Sequence, residues 1–174
     1  MIIDKISAIG VLLIEVLLLG ILAGYVYHKS TGKILSKRLW RLIKKYSLIL
    51  SLFILLSGTI ISLLYSEVVG YEACILCWVQ RALFYPQILF LGYFIFKGTK
   101  KVFNWLMGIN LIGLMVAGYQ YYTQITGDAT TCVIGEISCS VIDVWEFGHI
   151  TIPFMALVSF LAVLVLIYIH DSKV

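Results

Sequence analysis

Charge is what this sequence has least of. Only 13% of its 174 residues are Asp, Glu, Lys or Arg, while 61% are hydrophobic. Globular chains carry about 25% charged residues, so the deficit excludes a soluble domain, which would lack polar residues to cover its surface. Internal repeats and low-complexity tracts are also absent, and the chain reads as a single bundle. No basic stretch precedes the first apolar run: Lys5 stands beside Asp4, and the basic cluster comes afterwards. A cleaved signal peptide needs the opposite order and a shorter run. The first run therefore reads as a retained membrane helix.

What the chain does have is five long apolar runs: Ile6–Tyr27, Ser47–Tyr65, Trp78–Phe96, Val102–Tyr122 and Thr151–Ile169. At a rise of ~1.5 Å per residue, about 20 helical residues cross the ~30 Å hydrocarbon core. In lipid the backbone must satisfy its own hydrogen bonds, so each run is expected to be a helix. Glu15 interrupts the first. A charged acid costs roughly 2.5–3.5 kcal/mol at a helix centre, so Glu15 is expected to face the bundle or to sit protonated near the rim.

Basic residues set the expected orientation. Lys29, Lys33, Lys37, Arg38, Arg41, Lys44 and Lys45 crowd the first connection, and Lys97, Lys100 and Lys101 fill the third. The opposite connections hold Glu67, Glu72, Asp128, Glu136, Asp143 and Glu146. The positive-inside rule then places the N-terminus outside and the C-terminus in the cytoplasm. Apolar residues among the lysines, such as Leu35, Leu39 and Ile43, suggest an amphipathic helix over residues 34–46 on the anionic inner leaflet. The net charge of +4 needs no nucleic acid to explain it.

All four cysteines fall in the two outward segments. Cys74 and Cys77 form a C-x-x-C pair where Ser66–Cys77 enters the third run, and Cys132 and Cys139 lie in the long stretch Thr123–Ile150. Disulfides persist outside the cytosol. As structural clips, such short loops contribute only about 2 kcal/mol each. A tight C-x-x-C suits exchange better, because one thiolate attacks and its neighbour resolves the intermediate. Zinc favours two closely spaced pairs, and the second pair is too wide. Haem attachment needs a His after C-x-x-C, where Trp78 stands. Cys77 is expected near the N-terminus of the third helix, where the dipole favours a thiolate. Arg81, at i+4, shares its face.

The segment Cys74-Ile75-Leu76-Cys77-Trp78-Val79-Gln80-Arg81, followed by Tyr85-Pro86, resembles the core signature of the disulfide bond formation protein B (DsbB) family, nearest to its short-loop BdbC-type members. Cys139, Trp145-Glu146-Phe147-Gly148 and Thr151-Ile152-Pro153 resemble its second half, in order. The resemblance covers roughly Ser47–Ile169. It implies a four-helix transmembrane bundle over residues 47–174, to which residues 1–46 add an N-terminal transmembrane helix and a basic connection. It also implies a bacterial cytoplasmic-membrane thiol oxidase that reoxidises an extracytoplasmic thioredoxin-like dithiol oxidase (DsbA/BdbD-like) and passes the electrons to a quinone, menaquinone or ubiquinone. Cys132 and Cys139 would then exchange with the partner, Cys74–Cys77 would reoxidise them, and Arg81 would contact the quinone. Where many relatives carry a histidine in a Tyr-x-Tyr run, this chain has Tyr119-Gln120-Tyr121. Gln120 hydrogen-bonds but does not titrate near neutrality, which leaves proton delivery unassigned. Reductant conduits of the vitamin K epoxide reductase or CcdA kind, and an inert scaffold, are the rival readings.

Overall fold

A computed structural model describes residues 2–31, 37–97, 100–127 and 139–171. Five helices occupy them: α1 (Ile2–Thr31), α2 (Lys37–Glu67), α3 (Ile75–Lys97), α4 (Lys100–Thr126) and α5 (Ile152–Asp171). Each contains an apolar run read from the sequence, but for Thr151 immediately ahead of α5. The protein is an all-α, multi-pass membrane protein. Among the described residues, α1, α2, α3 and α5 are long and apolar enough to cross a membrane. With 27 residues α4 has the length, but Asn104, Asn110, Gln120 and Gln124 dilute its apolar character. Asn110, Gln120 and Gln124 are buried, so their amides are kept off the lipid-facing side.

Helix α2 packs on α3 and α5, and α4 packs on the same two, which closes an antiparallel ring of four. Leu55 of α2, Phe84 and Leu91 of α3, Leu106 of α4, and Phe160 and Val163 of α5 fill its centre. Lipid is as apolar as these side chains, so close packing and small residues hold such helices together. Gly113 shows how close: a Cβ there would lie 2.3 Å from the Phe160 ring. Large side chains such as Phe53, Leu89 and Phe96 point outward, as expected for a surface solvated by hydrocarbon.

Of the stretch expected as a surface helix over residues 34–46, the described part begins at Lys37. Residues from Lys37 onward are the first turns of α2, because no Gly or Pro interrupts a run of good helix formers there. At ~1.5 Å per residue α2 exceeds the ~30 Å hydrocarbon core, which allows its basic turns to project beyond it. A division of the chain at residue 46 thus falls inside one continuous helix. At this end Ser47 Oγ lies 3.3 Å from His170 Nδ1, joining α2 to α5.

α1 stands outside the ring against α5. Ala8 and Val11 pack with Tyr65 of α2 and with Met155 and Val158 in the first two turns of α5. Ser7 Oγ meets the Tyr65 hydroxyl at 2.5 Å while Ser7 donates to the Asp4 carbonyl at 2.9 Å. Glu15, half-buried, reaches His149 Nε2 at 3.6 Å. Its partner lies in the segment ahead of α5.

Candidate active site

The connection from α2 to α3 brings the C-x-x-C pair to a helix N-terminus. The Cys74 carbonyl accepts from Trp78 N–H at 3.1 Å, the first bond of the α3 ladder. Cys74 is therefore the N-cap residue, and Cys77 lies one turn inside. Their sulfurs are 3.1 Å apart as a dithiol. An N-cap side chain accepts from backbone N–H groups freed at the helix start. Here the Cys77 thiol donates to Cys74 Sγ, its backbone N–H adds a second bond, and together they outweigh burial and hold the Cys74 thiol below its ordinary pKa. The sequence pointed to Cys77 as the thiolate favoured by the helix start. The donors at the helix start favour a thiolate at Cys74, because the capping position carries the accepting sulfur.

Cys139 comes to this pair from far along the chain. It is 1% exposed, packs against Cys74 beside Leu76 and Cys77, and lies within thiol hydrogen-bonding reach of Cys74. Two contacts with α4 hold the segment that carries it. Gln124 Nε2 donates to the Val141 carbonyl at 2.7 Å, and the Tyr121 hydroxyl donates to the His149 carbonyl at 3.2 Å. Further on, Glu146 and Ile150 form a bridge around a turn with Phe147 at φ 51° and Gly148 at φ 80°. Gly148 takes that left-handed conformation without a Cβ penalty. Tyr121 thus fastens this loop to α4. Cys132 lies outside the described residues.

Beneath the sulfurs is a polar layer of which the sequence announced only Arg81 and Gln120. Gln120 Nε2 donates to Cys74 Sγ and to Cys77 Sγ, both at 3.2 Å. Its Oε1 accepts from Gln80 Nε2 at 2.8 Å. Both glutamines are buried. Arg81, 7% exposed, is clamped to α2: Nε donates to Ser62 Oγ at 2.8 Å and an η nitrogen to the Ser62 carbonyl at 2.9 Å. Its guanidinium also lies 5.1 Å from the Trp78 ring centroid. Gln80, Ser62 and Gln124 were missed, although each is a polar side chain inside an apolar run, where such residues are costly and tend to be functional.

Cys74, Cys77, Gln80, Arg81, Gln120 and Cys139 all line one cavity of ≈ 550 Å³ whose remaining walls are mostly apolar. Among the described residues no group of three His, Cys, Asp or Glu side chains is arranged to hold a metal ion.

A sequence model described as disulfide bond formation protein DsbB matches residues 44–170. This chain belongs to the disulfide bond formation protein B family. Among curated relatives, probable disulfide formation protein C 2 of Bacillus anthracis is 34% identical over 134 residues, 76% of this chain and 95% of the relative. An SPbeta prophage-derived disulfide bond formation protein B of Bacillus subtilis is 37% identical over 121 residues, 69% and 81% of the two chains. A probable disulfide formation protein of Oceanobacillus iheyensis is 43% identical over 119 residues, 66% and 79%. No solved structure gives a significant match. Membership in the DsbB family places the chain among membrane proteins of disulfide-bond formation, and α1 lies outside the part that the family model matches.

Proposed function

We propose that the protein is a quinone-dependent protein-disulfide oxidoreductase, which reoxidises an extracytoplasmic thioredoxin-like dithiol oxidase. The observation that carries this is the meeting of Cys139 with the C-x-x-C pair above a buried arginine. Inert staples would not need two cysteine-bearing segments to share one sulfur.

Exchange proceeds by thiolate attack on a disulfide sulfur. A partner thiolate attacks the Cys132–Cys139 disulfide at Cys132, and Cys139 leaves as thiolate. The partner's second thiol, losing its proton, displaces Cys132, and the partner departs oxidised. Cys139 then attacks Cys74 of the Cys74–Cys77 disulfide, and Cys77 is released. Cys132 displaces Cys74 from Cys139, which restores the loop disulfide. Two electrons and two protons have moved from the partner dithiol to Cys74 and Cys77. Gln124 and Tyr121 hold the Cys139 segment, so that its approach to Cys74 needs little ordering.

The donor set suits a neutral ring with carbonyl oxygens. Arg81 spends two N–H groups on Ser62 and, with five in all, retains others on the cavity it lines. When bound, a quinone supplies a two-electron, two-proton acceptor beside the reduced pair. Arg81 and Gln80 would hold its oxygens, and the apolar walls would exclude water. The basic turns of α2 then face the cytoplasm and the cysteines the opposite side. Residues 47–174 make the oxidase bundle, and residues 1–46, with α1, are an addition to it.

Purified protein in quinone-containing proteoliposomes provides the test. Oxidation of a thioredoxin-like dithiol should consume one quinone per disulfide formed, and Cys77→Ser should abolish it. A Cys77→Ser protein that oxidised its partner at the normal rate would overturn the relay.

A further inference from the structure

The cavity beside the cysteines is not a property of the four-helix ring alone. One of its walls is α1. Ile6, Gly10, Leu13 and Leu17 line it at spacings of four, three and four residues, which puts them on one helical face. Ile6, Leu13 and Leu17 are 64%, 66% and 45% exposed, so this face is not packed into the bundle. At Gly10 an added Cβ would meet nothing within 4 Å. Across the groove, α2 and α5 present small residues, Gly58 and Ala162 among them, which keeps the space open. The contacts Ser7–Tyr65 and Glu15–His149 fasten α1 on either side of Gly10.

The groove is thus polar where the cysteines, Gln80 and Arg81 meet it and apolar along its length. That division matches an amphiphile with a small polar ring and a long hydrocarbon tail, and its volume lies within the range of ligand pockets. We propose that α1 is the side wall of the acceptor site, and that its Ile6–Leu17 face grips the isoprenoid tail of the quinone. The inference rests on the quinone reading above and adds α1 as a determinant of tail recognition. Arg81 selects the ring, whereas α1 sets how strongly tail length contributes to affinity.

Binding decides it, measured on the full-length protein in nanodiscs by quenching of tryptophan fluorescence. The probes are a long-tailed menaquinone and its tail-less naphthoquinone counterpart. Gly10→Phe fills the groove and should weaken the long-tailed quinone by about tenfold or more, the loss expected when a few apolar carbons lose their burial. The tail-less ring should change by less than about twofold. Gly20→Phe, on the same helix but off the cavity, should leave both unchanged and controls for folding. Arg81→Met should weaken both. Equal affinity of Gly10→Phe and wild type for the long-tailed quinone would overturn the assignment. So would loss of a co-purified phospholipid chain with quinone affinity intact, because the groove would then belong to lipid. Failure of wild type to bind either quinone would instead sink the acceptor reading itself.

Discussion

The Gln80–Gln120 bond permits a test of the site by energetics alone. Both side chains are buried, they come from α3 and α4, and their bond is 2.8 Å long. Gln120→Leu removes the acceptor and leaves the buried Gln80 amide without its partner. Stranding a buried donor costs about 1–3 kcal/mol. Gln80→Leu strands the Gln120 carbonyl oxygen at a similar cost, while the Gln120 amide keeps both sulfurs. The double variant strands neither group of the pair. It should therefore be more stable than the sum of the single effects predicts, by about 0.6–2 kcal/mol, the range of interhelical hydrogen bonds in membranes. Unfolding in mixed detergent–SDS micelles, followed by tryptophan fluorescence, supplies all four corners of the cycle. Additivity within about 0.3 kcal/mol would refute the argument, since the two amides would then not share a bond worth its desolvation.

Two further outcomes follow from the same geometry. Because the Cys77 thiol and backbone N–H donate to Cys74 and hold its pKa down, Cys74 in reduced protein should ionise, and so be alkylated, at lower pH than an ordinary cysteine. Cys77→Ala, which removes the thiol donor, should move the alkylation profile of Cys74 to higher pH, as read by peptide-level mass spectrometry; an unmoved profile would contradict the capping account. Gly113→Ala drives a Cβ to within 2.3–2.6 Å of three Phe160 ring atoms and should lower stability by about 1–3 kcal/mol in the same micelle assay. Gly108→Ala, with nothing within 4 Å, should leave stability unchanged or raise it by up to about 1 kcal/mol, and equal losses for the two would dismiss the close α4–α5 approach.

The five helices were legible because lipid removes the alternatives: an apolar run of about 20 residues has nowhere else to satisfy its backbone. The site was legible where the relation was local. Cys74 and Cys77 stand three residues apart, and Arg81 follows at i+4, so shared faces could be read directly. Contacts between helices could not. Nothing near Gln120 in the sequence points to Gln80, 40 residues away, and nothing near Arg81 points to Ser62. The start of α2 was obscured for another reason, because lysines alternating with leucines suit an interfacial helix and the end of a long spanning one equally well. The place of α1 was hidden too. It is apolar almost all round, and only Asp4, Ser7 and Glu15 mark the face it turns to the bundle.

In the relay proposed above, Cys74 is the sulfur on which direction depends. It touches Cys77 within its own motif and Cys139 from the other segment, so it is the atom through which the two pairs can be joined. Once Cys139 and Cys74 are linked, the bond can be resolved forward by Cys132 or backward by Cys77. Forward resolution expels Cys74, and a thiol of lower pKa leaves faster. The capping position and the Cys77 donor provide that lowered pKa, while Gln120, donating to both sulfurs, is placed to receive the departing charge. Return requires Cys77 to attack Cys74 and expel Cys139, the buried sulfur that packs against Cys74. In the proposed relay, the capping position of Cys74 and the Gln120 donor, more than the spacing of the cysteines, therefore favour release of electrons onto the pair at the helix start.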